Sequence, residues 1–157
     1  MLPDCFNFND IELTRIQDSD IAETVALINH AFLYQQEAKG EPRTNPTHLR
    51  SRIKETEFYV AKENGKIVGC VYIEPSGNSL HFGLLVVADN QKGSGLAPAM
   101  LKAIEDFAIA KQYKNIGLAY VSVAPWLKKY YEKHGYATSG EVTEWGTIDL
   151  IWMHKDL

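Results

Sequence analysis

A chain of 157 residues, 45% hydrophobic and 23% charged, is long enough for a single domain spanning residues 1–157 with its own core, and its composition excludes disordered and fibrous classes. The net charge of −4, with acids and bases interspersed, argues against a nucleic-acid partner, which needs a basic face. The longest apolar runs, such as Leu84–Ala88, are far too short to span a bilayer, so no membrane partner is expected.

The two cysteines, Cys5 and Cys70, lie far apart and outline no disulfide framework. Met1–Asp10 lacks the basic start and apolar run of a secretory leader, which makes the cytoplasm the expected compartment. Ile11–Ile16 alternates apolar and polar residues, as a short strand does. Asp20, with Glu23 three residues on, reads as a helix cap, and Ile21, Val25, Ile28 and Phe32 follow on one helix face. Tyr34–Asn45 is polar, contains Gly40 and Pro42, and reads as a loop. Asn45-Pro46 then caps a short helix running to about Glu55. Phe58–Lys62 and Lys66–Glu74 are strands joined by Asn64-Gly65, the strongest short hairpin signal. After a turn at Pro75–Asn78, His81–Val87 is a third strand. The period then changes: Ala97, Met100, Leu101, Ile104, Phe107 and Ala108 share one helix face. Ile116–Val123 is a strand, Pro125 opens a helix that Gly135 closes, and Tyr136–Val142 and Thr147–Met153 are a last pair of strands. A meander followed by a strand–helix–strand crossover implies a mixed sheet with helices on its faces.

Gln91-Lys92-Gly93-Ser94-Gly95-Leu96 joins a strand to a helix. Gly93 and Gly95 allow a tight turn and close approach of a ligand, and the N–H groups of the helix start favour an anion. The dinucleotide fingerprint needs a third glycine where Pro98 stands, and in the P-loop the lysine follows the glycine rather than preceding it as Lys92 does. Ser122 lies outside any Gly-x-Ser-x-Gly elbow. His30, His48, His134 and His154 have no metal-ligand spacing, so no metal is expected. Trp126, Trp145 and Trp152 read as core or rim.

Three stretches together resemble the GNAT superfamily of acetyltransferases. Asn90-Gln91-Lys92-Gly93-Ser94-Gly95 is similar to the family's Gln/Arg-x-x-Gly-x-Gly/Ala signature, with Asn90 at the first position unless Gln91 serves in a shortened loop. Tyr130-Tyr131-Glu132-Lys133-His134-Gly135-Tyr136 resembles the aromatic-Tyr run of the fourth helix. Tyr59-Val60-Ala61 to Ile67-Val68-Gly69-Cys70 resembles the family hairpin. The resemblance covers roughly Ile11–Met153. It implies an α/β (α+β) GNAT fold, a mixed six- to seven-stranded sheet with about four helices, splayed between its fourth and fifth strands. It implies acetyl-CoA in that splay, its pantetheine against the backbone of Leu85, Val86 and Val87 and its pyrophosphate on Gln91, Lys92, Gly93, Ser94, Gly95 and Leu96. The family's cofactor-contacting Asn near the fourth helix has no counterpart in Val123-Ala124-Pro125.

The implied activity is acetyl transfer from acetyl-CoA to a primary amine of a small molecule or peptide, by direct attack in a ternary complex. The departing thiolate needs a proton or a hydrogen bond, and the resemblance places Tyr131 beside the sulfur. A tyrosine, with a reference pKa of about 10 against about 8.5 for a thiol, keeps its proton at neutral pH. Outside the motif, Tyr131 would read as a core residue, and Tyr130 points about 100° away. Glu74, His81 and Glu37 are the candidates for the base, with surface charge as the ordinary alternative for each. Glu37, Glu41, Glu141 and Glu144 lie in segments that set acceptor specificity in the family and would suit a cationic amine. A non-catalytic acyl-CoA-binding or regulatory module is the competing reading, and monomer and homodimer are both open.

Overall fold

The computed structural model describes Leu2, Asn7, Phe8 and residues 10–157; Cys5 and most of the stretch read for a leader lie outside the described residues. In chain order the elements are β1 (Asn7–Phe8), β2 (Ile11–Arg15), α1 (Ile21–Ala31), α2 (Leu33–Lys39), α3 (Pro46–Glu55), β3 (Glu57–Glu63), β4 (Lys66–Ser76), β5 (Ser79–Val87), α4 (Leu96–Ala110), β6 (Asn115–Val121), α5 (Trp126–Lys133), β7 (Ala137–Trp145) and β8 (Ile148–Asp156). They form one mixed sheet in the order β1-β2-β3-β4-β5-β6-β8-β7. Among the described residues only β5 and β6 pair in parallel, with α4 crossing between them. The mixed sheet with helix-covered faces is as the sequence implies; the two-residue β1 and α2 are additions to it.

Local signals act as expected at several joints. Asn64 and Gly65 take φ of 51° and 77° between β3 and β4. The Asn45 side chain accepts the His48 N–H at 2.9 Å, with Pro46 opening α3. Two readings are corrected. Asp20 precedes α1 but does not cap it with its side chain. Its carboxylate turns back to the Gln17 N–H at 2.9 Å and to Lys62 at 2.9 Å, while Glu23 accepts the Ile67 N–H at 2.6 Å. The segment read as a loop from Tyr34 is helical as α2 until Gly40, in left-handed conformation, ends it. Leu-Tyr-Gln-Gln-Glu-Ala-Lys is rich in helix formers, and its polarity disguised it. Gln35 is its buried residue, and the Ala38 carbonyl accepts a bond from the Thr147 hydroxyl at 3.0 Å.

Both sheet faces are buried. On one, α4 and α5 cover Leu80, Phe82, Ile116 and Leu118; on the other, Ile28 of α1 and Leu49 of α3 cover Val60, Cys70, Leu84 and Val86. Ile28 and Leu49 are wholly buried, each contributing roughly 1.5–3 kcal/mol. Within β5 the inward face changes. Leu80 and Phe82 enter the α4 side, whereas Leu84 and Val86 enter the α1 side. An odd-residue step does this: Cys70 pairs with Val86 but Tyr72 with Gly83, and Leu84 takes φ of 51°. The bulge bends β5 where it leaves β6. Recorded β5–β6 pairing covers Ser79, Leu80 and His81 with Asn115, Ile116 and Gly117, braced by a Ser79–Asn115 side-chain bond. Past that point the strands part. Among the described residues no helix is long and apolar enough to cross a membrane.

Candidate active site

The parting of β5 and β6 opens a cavity of about 320 Å³. Phe82–Val87 of β5 and Leu118–Val121 of β6 line it, so the gap in the sheet is itself the site. Past His81 the β5 edge facing β6 has no recorded strand partner, which leaves main-chain donors and acceptors for an extended ligand. Of the residues singled out from the sequence, Tyr131, Glu74, His81, Leu85, Val86, Val87 and Lys92 line this cavity. Gln91, Gly93, Ser94, Gly95, Leu96, Glu37 and Tyr130 do not.

The glycine turn stands between the cavity and α4. Gly93 and Gly95 take φ of 79° and 90°, a region that costs other residues strain. Gln91 is buried, and its amide donates to Glu63 at 3.3 Å, so its side chain ties the turn to the end of β3. Ser94 accepts the Leu96 N–H at 3.3 Å, and the Leu96 side chain is wholly buried in the core. Among the described residues, nothing accepts from the N–H groups of Gly93, Gly95 and Ala97. Lys92 pairs with Asp89 at 3.1 Å, and Asp89 also meets His30 at 2.6 Å. Those two partners, His30 first, hold the Asp89 carboxyl below its ordinary range.

Tyr131 is 7% exposed, with its ring 6.0 Å from Phe82 and 5.8 Å from Tyr136. Its hydroxyl has no hydrogen-bond partner among the described residues. Burial pushes its pKa far up, and Tyr130 and Tyr34 add to the shift. Tyr130 is 5.1 Å away edge-on, its hydroxyl buried with no partner. Tyr136 is different: its hydroxyl donates to Glu105 at 3.0 Å, and Lys155 meets the same carboxylate at 3.2 Å. Glu74 and His81 are cross-strand partners on β4 and β5. The His81 ring lies 5.3 Å from that of Trp152 and close over Gly117, where a Cβ would come within 3.0 Å.

The wall nearest α2 was not legible in the sequence. Arg43, Gln35, Tyr34 and Tyr72 line it, with Trp126 and Trp145 at the rim. Glu37, Glu41, Glu141 and Glu144 are exposed and lie off the cavity wall, whose carboxylates are Glu74 and Asp89 instead. No periodicity marks Arg43: it follows a proline in an irregular segment, and only the folded chain brings it to Trp145.

Residues 28–157 match the family model of the acetyltransferase (GNAT) domain. A comparison with curated proteins returned no match. Among solved structures, the smu.2055 protein of Streptococcus mutans is 21% identical, with a TM-score of 0.75 over 92% of this chain and 98% of that one. A ribosomal-protein-alanine N-acetyltransferase from Brucella melitensis is 17% identical, with a TM-score of 0.69 over 92% and 99%. The ribosomal-protein-S18-alanine N-acetyltransferase of Escherichia coli is 15% identical, with a TM-score of 0.69 over 93% of each chain. At these identities the likeness is one of fold.

The two tyrosine neighbours make a stability test. Tyr130→Phe removes a buried hydroxyl without a partner, so the unfolding free energy should stay within about 0.5 kcal/mol of the parent or rise. Tyr136→Phe breaks the bond to Glu105 and should cost about 1 kcal/mol. Chemical denaturation reads both; a greater loss in Tyr130→Phe than in Tyr136→Phe would contradict the bonding described.

Proposed function

The chain belongs to the GNAT acetyltransferase family, and from that premise we propose that it transfers an acetyl group from acetyl-CoA to the primary amine of a small molecule or peptide, by direct attack in a ternary complex. One observation carries the proposal: an unpaired β5 edge, a buried tyrosine and, at the border, a glycine turn with unclaimed N–H groups surround one cavity.

The fit to CoA rests on the first and last of these. The N–H groups of Gly93, Gly95 and Ala97, at the start of the 15-residue α4, suit a diphosphate. Lys92 adds charge beside them. Gln91, Ser94 and Leu96 shape the turn, through Glu63, the Ser94–Leu96 bond and the core respectively. The backbone of Leu85, Val86 and Val87 offers an extended pantetheine the bonds an added strand would make. Acetyl-CoA supplies the acetyl group on a thioester whose thiol departs.

Tyr131 is the donor to that departing sulfur. Burial holds its proton firmly, so it is neutral at physiological pH and needs only to strengthen a hydrogen bond as negative charge develops. Glu74 and His81, side by side on the cavity wall, are the groups set to take the amine's proton, directly or through water. Positioning both reactants in the gap supplies much of the acceleration.

CoA should therefore raise the melting temperature. A ligand at about 100 times its Kd stabilises by roughly 2.7 kcal/mol, about 5–10 °C for a chain of this size. In Gly93→Val the shift should largely vanish. A Cβ there meets no protein atom within 4 Å, so the variant carries backbone strain of about 1–2 kcal/mol but no clash and should fold. An unchanged CoA shift in folded Gly93→Val would remove the turn from the cofactor site.

Tyr131→Phe deletes one hydroxyl and should leave CoA affinity intact. Its kcat should fall by roughly 10- to 10⁴-fold, with kcat/KM falling in parallel. Steady-state thiol release measures this, with Tyr130→Phe as control. Parent-like turnover with chemistry rate-limiting would exclude Tyr131 from the reaction. CoA binding without thiol release from any amine would favour the non-catalytic module.

A further inference from the structure

Two charged side chains of opposite sign line the cavity without a partner. Arg43 is half-buried, its guanidinium 4.9 Å from the Trp145 ring centroid and 5.8 Å from that of Phe32. No carboxylate lies within ion-pair distance of it among the described residues. Its place is fixed instead through the next residue. The Thr44 N–H donates to the Asn29 side chain at 2.9 Å, and Asn29 donates back to the Thr44 carbonyl at 3.0 Å. The fold therefore holds a cation at the cavity wall by means independent of its charge. Burial works against that charge and draws the guanidinium below its ordinary pKa; neighbouring Arg52 acts in the same direction. A desolvated cation without a counter-ion is costly unless an anion arrives.

Glu74 is the second. It lines the same cavity opposite His81, and no cation pairs with it among the described residues. The other cavity-lining carboxylate, Asp89, is already engaged by His30 and Lys92. Gln35 provides an independent observation. It is 2% exposed and lines the cavity, and its Oε1 is buried with no hydrogen-bond partner. An amide oxygen unmet by protein calls for an N–H donor, as the unmet guanidinium on the same cavity calls for an anion, and one ligand carrying both completes the wall. Tyr34, Tyr72 and Trp145 line the same cavity with aromatic surface.

We propose that the acceptor is a small dipolar amine, an amino acid or close analogue, whose carboxylate is bound by Arg43 while its amine lies among the acceptors of the cavity, Glu74 and the Gln35 amide oxygen. A carboxylate suits Arg43 because a guanidinium stacked on rings presents its edge, and two coplanar N–H groups match two carboxylate oxygens. The unpaired charges account for both poles of the ligand, and the aromatic walls for an apolar body between or beside them. This inference rests on the acetyl-transfer reading.

The test is thiol release from acetyl-CoA with matched triplets, each an amino acid, its carboxamide and its decarboxylated amine, with aromatic and aliphatic side chains. Calorimetry with CoA alone runs beside it. In at least one triplet the carboxylate should exceed both neutral members by about tenfold or more in kcat/KM. In Arg43→Met that preference should collapse toward unity through KM, with CoA affinity kept, and Arg43→Lys should restore part of it. Neutral amines accepted as well as or better than carboxylates by the parent protein would overturn the inference. So would a preference that survives Arg43→Met, or a loss of CoA affinity in that variant, which would make Arg43 a donor contact. Should Arg43→Met fail to fold, the triplets on the parent protein decide alone. CoA binding with no triplet member acetylated also counts against the dipolar acceptor. Absence of CoA binding, by contrast, is the failure of the acetyl-transfer reading itself.

Discussion

The site depends on one leucine held in a backbone conformation its side chain disfavours. Leu84, at φ 51°, carries a strain of roughly 1–2 kcal/mol in the middle of β5. Burial of its side chain on the α1 face offsets this, and the Cys70 thiol donates to its carbonyl at 3.3 Å. Cys70 is enclosed, and burial drives its pKa well upward, so the thiol stays protonated and the donor is retained. The extra residue swaps the inward faces of β5 and bends it off β6. Without it, strict alternation would send Leu84 and Val86 to the α4 side with Leu80 and Phe82. The edge that opens the cavity would have no reason to leave its neighbour.

The cavity then needs covering, and the cover comes from distant parts of the chain. The tip of the β7–β8 hairpin is pinned to α2 by the Thr147–Ala38 bond and by Lys39 lying 3.4 Å over the Trp145 ring. Tyr34 meets Trp126 of α5 edge-on at 5.1 Å. Each contact is worth on the order of 1 kcal/mol, far less than the burial under α4. The β5 side of the cavity is thus tied to the main core, while the side facing α2 and the β7–β8 hairpin is an assembly of ring and cation contacts. Such a wall is the part of the fold easiest to vary without cost to the rest.

The same division explains what could be read from the sequence. Asn64-Gly65, Asn45-Pro46 and the Gly93–Gly95 turn are local devices, in which a residue acts on its immediate neighbours, and each stands where it was expected. The apolar face from Met100 to Ala108 was equally legible, because one period runs through it. Three features were not. α2 looks like a loop because key partners are distant in the chain, Trp126 of α5 and the Trp145–Thr147 tip of the β7–β8 hairpin. The face swap at Leu84 is invisible in Leu-Leu-Val-Val, where every residue is apolar and no alternation marks a register. Arg43 carries no local signal at all; it matters only because Asn29, fourteen positions earlier, holds the following residue. Gln91 could be placed in the turn by resemblance, yet its tie to Glu63 is a long-range contact.

A net charge of −4 says little about a site whose charges are sorted one by one. On the proposed function, a phosphate arriving at the glycine turn would compete with Asp89 for Lys92. Both partners of that ion pair are well exposed, where solvent screens their attraction, so the exchange is nearly balanced. Affinity for the donor then has to come from the unclaimed N–H groups, which any sequence adopting this turn would offer. Among the described residues Arg43 has no acid to give up. An anion reaching it gains the full interaction of a partly desolvated guanidinium. On the proposed function, the backbone would do the work at the cofactor and the side chain at the acceptor. If the proposed acceptor is right, discrimination among acceptors is concentrated in the few residues around Arg43, on the wall that the rest of the fold constrains least.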